Sequence, residues 1–219
     1  MAALSLHVGV KSDPIEYRYS FSWLFGLMEE CSVRFLQLGT FFELYHLPDK
    51  YFTDLRRQAE RHGITISSVF TSHRELGGFF RNDPDWIAVA RRNYERLIQV
   101  GALVGAASVG SNPGSILRDE MDGKSVGIRT FLDHMGELMA YAAEAGVPML
   151  TVEPMSCLAE PPTLPHEVTA MMDRLKAHRE SYPECADIGL CADVSHGYAD
   201  GQGTVVVGHM ELLTAALPY

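Results

Sequence analysis

The sequence predicts an α/β fold in which parallel strands form a (β/α)8 TIM barrel, with strands one to six present. Short, nearly continuous apolar runs alternate six times with longer segments of helical periodicity, as in βα units that feed a parallel sheet. No glycine-rich phosphate-binding motif follows the first apolar run, which disfavours a doubly wound sheet. Polar residues instead follow the apolar runs, at the position where barrel strands carry their active sites.

Length and composition limit the class of protein. The chain has 219 residues, of which 47% are hydrophobic and 21% charged, as is ordinary for a globular domain. Its net charge of −10 is unfavourable for binding nucleic acid. The cysteines have no CxxC spacing and the N-terminus has no secretory pattern, so we expect a reduced, cytoplasmic protein. Because no apolar run has the length of a membrane span, we expect no membrane association.

Local signals predict each element in turn. Strands are apolar runs bounded by turn residues, and helices have apolar residues at three- and four-residue spacing. Asp83 before Pro84 is typical of a helix start, and Gly63 and Gly146 are typical of helix ends. The predicted strands cover residues 6–10, 32–38, 64–71, 103–109, 149–152 and 188–193. The predicted helices cover residues 20–30, 49–62, 83–100, 127–145, 165–180 and 209–217.

The number of units predicts an incomplete barrel. Six units occupy nearly the whole chain, whereas a complete barrel has about 250 residues. We therefore expect one domain over residues 1–219 that lacks strands seven and eight, and a native polypeptide that continues beyond Tyr219. Strands one and six would then expose unpaired edges, which favour pairing between chains. We also expect a homo-oligomer, with Phe79, Phe80 and Trp86 forming an apolar lid or an oligomer contact.

Two motifs place chemically active side chains after neighbouring strands. Glu153 follows the fifth predicted strand, and Asp193 and His196 come at the end of the sixth. Because the carboxyl ends of adjacent strands meet at one end of a barrel, these side chains should share one site. Carboxylate oxygens and an imidazole suit a divalent metal. Taken singly, the three residues have alternative interpretations. Glu153 fits a salt bridge, Asp193 fits a helix cap, and His196 fits a surface histidine.

Weaker candidates follow the third and fourth strands. His73 lies at the start of a glycine-containing loop and is a candidate for binding sugar hydroxyls or a phosphate, with a solvated loop as the alternative. Arg118 and Lys124 follow strand four and are candidate phosphate contacts.

The motifs TVEP at 151–154 and GLCADVSHG at 189–197 resemble those of the sugar phosphate isomerase/epimerase superfamily. This is the xylose isomerase-like TIM barrel group, which includes the ketose 3-epimerases. The resemblance implies that Glu153 is both a metal ligand and an acid/base, and that Asp193 binds the same metal. It implies that His196 contacts substrate oxygens near the metal. The ion would be Mn²⁺, Mg²⁺ or Co²⁺, with Zn²⁺ also open.

The resemblance has further implications and some departures. A second glutamate of the family binds the end of the substrate, and Glu160 is the matching candidate although its spacing differs. The family's strand-seven histidine and strand-eight glutamate would lie beyond Tyr219. Endonuclease IV-like members carry extra histidines after strands two and four, where this chain has none, so a trinuclear zinc nuclease is not expected. Gln37 stands in strand two where many relatives have an acidic residue.

The resemblance thus implies a divalent-metal-dependent isomerase or epimerase of a sugar or sugar phosphate. Proton transfer would pass through a metal-stabilised enediolate, with Glu153 as the base and His196 hydrogen-bonded to substrate oxygens. The alternative is a dehydratase or decarboxylase of a sugar-acid or inositol pathway that uses the same site. A non-catalytic binding protein is a third hypothesis, and it predicts that Glu153→Gln leaves function intact.

Overall fold

In the computed structural model, parallel strands lie side by side in the order in which they occur in the sequence. The structure describes residues 7–15, 17–39, 45–71 and 74–219, and for residues 74–76 the backbone only. The strands are β1 (Gly9–Lys11), β2 (Phe35–Gly39), β3 (Thr65–Thr71), β4 (Ser108–Ser111), β5 (Met149–Val152) and β6 (Asp187–Leu190). Each neighbouring pair is parallel. Within these described residues β1 and β6 do not pair with each other, so the barrel is open between them.

A helix connects each strand to the next along the chain. The helices are α1 (Phe21–Glu30), α2 (Asp49–Arg61), α3 (Pro84–Val104), α4 (Lys124–Ala145), α5 (Pro165–Ser181) and α6 (His209–Ala216), the last following β6. Short 3-10 helices at Arg74–Phe80 and Met121–Gly123 precede α3 and α4. The predicted alternation of strands and helices in an incomplete TIM-barrel fold is thereby confirmed. None of the helices in the described part of the chain has the length and hydropathy that a membrane crossing requires.

The two faces of the sheet have different surroundings. On β2, Leu36 and Leu38 are completely buried in the hydrophobic core beneath the helices. Gln37 lies between them in sequence, and because side chains alternate along a strand it points to the inner face of the open barrel. Leu150 and Val152 of β5 are likewise in the core. Residues that alternate with these core positions therefore line the interior.

Capping signals set the helix starts that the sequence predicted. The carboxylate of Asp83 accepts hydrogen bonds from the backbone N–H groups of Asp85 and Trp86 at 2.9 and 3.2 Å. These bonds satisfy donors that have no partner in the first turn of α3. The hydroxyl of Ser20 accepts from the backbone N–H of Trp23 at 3.2 Å and begins α1 in the same way.

The predicted start of the fourth strand is wrong. Leu103 and Val104 belong to α3, and β4 begins only at Ser108. Gly105 ends the helix with a φ of 73°, a left-handed conformation that favours glycine. The apolar residues before Gly105 fit a helix as well as a strand, so their character did not reveal the boundary.

The strands β1 and β6 also differ from the predicted ones, and a hairpin follows β6. β1 is the three-residue segment Gly9–Lys11, and residues 1–6 of the chain lie outside the described residues. β6 ends at Leu190, so Asp193 lies in the following loop and not in the strand. The strands β7 (Tyr198–Ala199) and β8 (Val205–Val207) then form an antiparallel hairpin before α6. The sequence analysis assigned no structure to that segment.

Candidate functional site

The candidate site lies where β5 and β6 end. The backbone N–H of Cys191 donates to the carbonyl of Val152 at 2.9 Å, which extends the parallel pairing one residue beyond β6. Glu153 therefore leaves β5 beside the point where Cys191 leaves β6. The loop then turns so that the N–H of His196 donates to the carbonyl of Asp193 at 3.1 Å, which holds the loop beside Glu153.

The structure brings Glu153, Asp193 and His196 together. Each offers one ligand atom, and these atoms lie within 4.8 Å of one another. Nε2 of His196 is 3.8 Å from Oδ2 of Asp193, and Nδ1 is 3.9 Å from Oε1 of Glu153. Two carboxylates and one imidazole at this spacing form a donor set that fits the divalent ion implied by the resemblance.

A hydrogen bond orients His196. Its Nδ1 lies 2.7 Å from the carbonyl oxygen of Pro154. Because a carbonyl oxygen only accepts, Nδ1 carries the proton in this contact, and Nε2 keeps its lone pair in the neutral ring. Nε2 is also the nitrogen that faces Asp193. The imidazole is thus presented as a ligand for a metal or as an acceptor for a hydroxyl group.

Glu153 is a buried carboxyl group, with the residue 9% exposed. Burial raises the pKa of Glu153, and the negative charges of Asp193 and Glu160 act in the same direction. The charges of His196 and Lys11 oppose the rise in its pKa. A carboxylate in this environment is costly unless it meets a cation or gives up its charge to a proton.

Asp193 is held in the ionised form by its neighbour Ser195. The backbone N–H and the hydroxyl of Ser195 both donate to Oδ1 of Asp193 at 2.7 Å, and these bonds lower the pKa of Asp193. Oδ2 remains on the side of His196. The sequence analysis missed Ser195, although the Asp-x-Ser spacing is typical of a turn closed by an aspartate side chain.

Two further residues that the sequence analysis missed also lie at the site. Lys11, the last residue of β1, forms an ion pair with Asp13 at 2.8 Å. Burial raises the pKa of the Cys191 thiol, and the side chain of Gln37 acts in the opposite direction. Glu153 adds to that rise in pKa, whereas Lys11 opposes it. Both residues stand at strand ends on the inner face, which is the signal that could have identified them.

The remaining predicted residues have different surroundings. Glu160 is buried in the segment between β5 and α5, and its negative charge adds to the rise in the pKa of Glu153. His73 lies outside the described residues. Lys124 forms an ion pair with Glu167 at 2.5 Å between α4 and α5, and its role as a phosphate contact stays a prediction. A guanidinium nitrogen of Arg118 is 3.5 Å from the sulfur of Cys157.

Comparisons with known structures place the chain among proteins of the same fold. A protein from Rhodospirillum rubrum assigned as a xylose isomerase is 20% identical, with a TM-score of 0.77 over 87% of this chain and 66% of that one. D-psicose 3-epimerase from Clostridium cellulolyticum H10, solved with D-tagatose, is 14% identical, with a TM-score of 0.70 over 86% and 64%. A xylose isomerase-like TIM barrel protein from Mycobacterium smegmatis, in complex with magnesium, is 17% identical, with a TM-score of 0.62 over 91% and 63%.

The chain spans slightly less than two thirds of the length of each of these three proteins. At such low identities the likeness shows the fold alone. A search of curated proteins found no match. The model of the family described as "Xylose isomerase-like TIM barrel" matches residues 28–217, which is most of the chain. This protein therefore belongs to the xylose isomerase-like TIM barrel family.

Proposed function

We propose that this protein is a divalent-metal-dependent isomerase or epimerase of a sugar or sugar phosphate. The observation that carries the proposal is the convergence of Glu153, Asp193 and His196 at the ends of two adjacent strands. The Clostridium structure contains a ketose 3-epimerase with a ketose, and the Mycobacterium structure contains magnesium. Both support a sugar substrate and a divalent ion for this member of the family.

Glu153 and Asp193 would hold the ion, and His196 would contact substrate oxygens beside it. Ligands that are mainly carboxylate favour Mn²⁺, Mg²⁺ or Co²⁺ over a closed zinc site. The bound ion would supply positive charge that offsets negative charge developing on the substrate oxygens. The hydrogen bonds from Ser195 would orient Asp193 as a ligand, and the hydrogen bond from His196 to Pro154 would orient the imidazole toward the substrate.

Glu153 is the base in this proposal. A C–H bond beside a ketone is a weak acid, and a base with a raised pKa accepts its proton more readily. The burial that raises the pKa of Glu153 therefore suits this task. In an isomerisation, Glu153 would remove the proton and return it to the neighbouring carbon. In an epimerisation, Glu153 would act on one face of the substrate and a second carboxylate would transfer the proton on the other face. His196 would accept a hydrogen bond from a substrate hydroxyl at Nε2, and Glu160 would bind the far end of the sugar.

We further propose that two more parallel strands close the barrel between β1 and β6. A carboxylate from the last strand would reach the opposite face of the substrate. Proton transfer on one face gives aldose–ketose isomerisation, and transfer on two faces gives epimerisation at the carbon beside the ketone.

We place the enzyme in the cytoplasm, a proposal supported by its four free cysteines.

Solvent deuterium exchange tests the proposal. The Mn²⁺-loaded protein is incubated in deuterated water with a panel of ketohexoses and ketopentoses, and each sugar is examined by NMR. We expect deuterium at the carbon beside the ketone of the converted sugar. Glu153→Gln should reduce exchange about 1,000-fold, because it removes the base. Glu144→Gln, on the exposed surface of α4, is the matched control.

Three outcomes would contradict the proposal. Turnover without solvent exchange would indicate hydride transfer and would remove Glu153 from the role of base. Activity that a chelator leaves unchanged would exclude the metal. Loss of water or release of carbon dioxide from a sugar acid would instead identify the dehydratase or decarboxylase alternative.

A further inference from the structure

A wide groove lies between α2 and the segment that leads into α1. It has a volume of about 1290 Å³, and the described residues that line it fall within 17–22 and 47–61. Glu153, Asp193 and His196 are not among these residues, so the groove is a feature separate from the candidate site. Pockets for single small molecules enclose about 300–1,000 Å³, so this groove has room for a ligand of several linked units.

Aromatic side chains form most of the apolar lining. Among the described residues, four rings line the groove, those of Tyr17, Tyr19, Phe21 and Tyr51. Tyr19 is 52% exposed and stacks on Trp23, with the ring centroids 4.2 Å apart and the planes inclined by 20°. The stack restrains the ring of Tyr19 while half of the residue stays accessible. Exposed aromatic surface beside polar groups is typical of a binding site.

Hydrogen-bonding side chains lie among these rings. Ser20, Ser22 and Gln58 line the groove, together with two acidic and two basic side chains, Asp54, Glu60, Arg57 and Arg61. Arg57 pairs with Asp54 at 3.1 Å, and Arg56 pairs with Glu60 at 2.9 Å. The charges of the described lining thus balance, although the whole chain has a net charge of −10. The groove therefore offers hydrogen bonds without an excess of charge that would select an ion.

Rings and hydrogen-bonding groups in one groove match the chemistry of a saccharide. One face of a pyranose carries C–H groups that pack on an aromatic ring, and its edges carry hydroxyl groups that donate and accept hydrogen bonds. An amphipathic helix would instead need a continuous apolar groove. Asp54, Arg57 and Gln58 interrupt the apolar surface here.

We propose that this groove binds a neutral oligosaccharide, with sugar rings packed on Tyr19 and Tyr51 and hydroxyl groups bound by Gln58. The inference goes beyond the proposed function, because it requires neither a metal nor catalysis. Tyr19 lies in the connection from β1 to α1, and Tyr51 begins the helix that follows β2. Since carboxyl ends of parallel strands meet at one end of a barrel, the saccharide would enter at the end where Glu153 lies.

Calorimetry on chelated protein tests the inference. Maltotriose, cellotriose, xylotriose and mannotriose are titrated separately with EDTA present, so that the candidate metal site does not contribute. We expect at least one of them to bind at millimolar concentration. Tyr19→Ala and Tyr51→Ala should each weaken that binding about fivefold, because each removes a ring. Tyr19→Phe should keep most of the affinity. Tyr182→Ala, at a residue 51% exposed directly after α5, is the matched control and should change nothing.

Further titrations separate this ligand from other occupants. Affinity for a neutral trisaccharide should be equal at low and high salt, because salt screens charges only. Tighter binding of trigalacturonate than of every neutral trisaccharide would make the groove an anion site and would overturn the inference. Binding of decaproline, or self-association in sedimentation, that Tyr19→Ala abolishes would assign the groove to a peptide or a second copy and would also overturn it. Binding by no trisaccharide, or equal binding by wild type and Tyr19→Ala, would overturn the inference and leave the proposed function standing.

Discussion

Asp193 owes its orientation to a residue two positions along the chain. Ser195 donates its N–H and its hydroxyl to the same carboxylate oxygen. Ser195→Ala removes one of these bonds and gives the carboxylate more rotational freedom. We expect the dissociation constant for Mn²⁺ to rise about tenfold, because groups that orient metal ligands contribute on this scale. Calorimetry measures this constant, with Ser181→Ala at the end of α5 as the control.

Wild-type affinity for Mn²⁺ in the Ser195→Ala variant would contradict this expectation. It would mean that the backbone N–H alone holds the carboxylate in place. An equal loss of affinity in Ser181→Ala would indicate a general effect on folding instead.

Glu153 makes the stability of the metal-free protein depend on pH. Burial raises its pKa, so the folded protein holds this proton more tightly than the unfolded chain does. The protonated carboxyl group of Glu153 therefore stabilises the folded protein at pH values below its pKa in the unfolded chain. This contribution is lost as the pH rises through the pKa that Glu153 has in the folded protein. Glu153→Gln removes the cost of the buried charge. With a chelator present, we therefore expect this variant to have a higher Tm than wild type at pH 8, but not at pH 4.

Thermal unfolding followed by circular dichroism measures the difference in Tm. Glu144→Gln should show no such dependence on pH, because its side chain is exposed. A lower Tm for Glu153→Gln at pH 8 would contradict the prediction. It would show that attraction to His196 and Lys11 outweighs the burial of the carboxylate.

At the scale of residues, the three side chains that follow β5 and β6 lie together, as the strand order predicts. Glu153, Asp193 and His196 are near one another because strand order and parallel direction determine which ends meet. Lys11 also stands at the end of a strand. In the sequence, however, a lysine at the end of a three-residue strand is difficult to distinguish from a surface residue. Ser195 reaches the carboxylate of Asp193 because the loop turns between them. That turn depends on backbone angles, which the amino-acid composition does not determine.

At the scale of elements, a partly buried ion pair joins α4 and α5. The side chains of Lys124 and Glu167 are 18% and 10% exposed. The same glutamate accepts from the backbone N–H groups of Thr163 and Leu164 at 3.0 and 3.3 Å, at the start of α5. Lys124→Met leaves this carboxylate without its cation, and we expect the free energy of unfolding to fall by about 3 kcal/mol.

Urea denaturation measures the loss of stability in Lys124→Met. The exposed control Lys50→Met should change the free energy of unfolding by less than about 0.5 kcal/mol. The double variant Lys124→Met/Glu167→Gln should regain part of the loss, because it no longer buries an unpaired charge. A double variant less stable than Lys124→Met would contradict this explanation.

Element boundaries could be predicted where a helix ends on a clear chemical signal. Gly146 ends α4 in a left-handed conformation, as expected from its position after a long apolar helix. The hairpin of β7 and β8 could not be predicted from periodicity, since its strands have only two and three residues. Its pairing depends on contacts between residues several positions apart, such as the N–H of Asp200 with the carbonyl of Thr204.

At the scale of the whole molecule, the open sheet has two edges, at β1 and β6. Central strands such as β3 and β4 have a partner on each side, whereas the edge strands have one. In a polypeptide of residues 1–219, we expect amides of Gly9–Lys11 and Asp187–Leu190 to exchange at least about tenfold faster than those of Ser108–Ser111. Hydrogen–deuterium exchange with mass spectrometry measures these rates.

Protection of both edges equal to that of β4 would contradict an open sheet in solution. Dilution then distinguishes pairing between chains from closure within one chain. Protection that decreases on dilution would indicate pairing between copies of the chain, and sedimentation would then detect an oligomer. Protection that persists on dilution would indicate closure within one chain.

The overall architecture could be predicted because its units repeat. Each strand is a separate apolar run, so the number and order of the strands could be predicted from the sequence. The choice of a barrel came from polar residues at the strand ends. The curvature of the open sheet was not available, because it depends on side chains that meet across the interior.

Gln37 has a consequence for that curvature. Its amide nitrogen donates to the hydroxyl of Ser68 at 3.1 Å. The side chain of Gln37 also interacts with the thiol of Cys191, directly after β6, and lowers the pKa of that thiol. Since β3, β4 and β5 separate β2 from β6 within the sheet, this interaction spans the concave side of an arc. Flattening the arc would therefore separate Gln37 from Cys191 while leaving its hydrogen bond to Ser68 on the neighbouring strand in place.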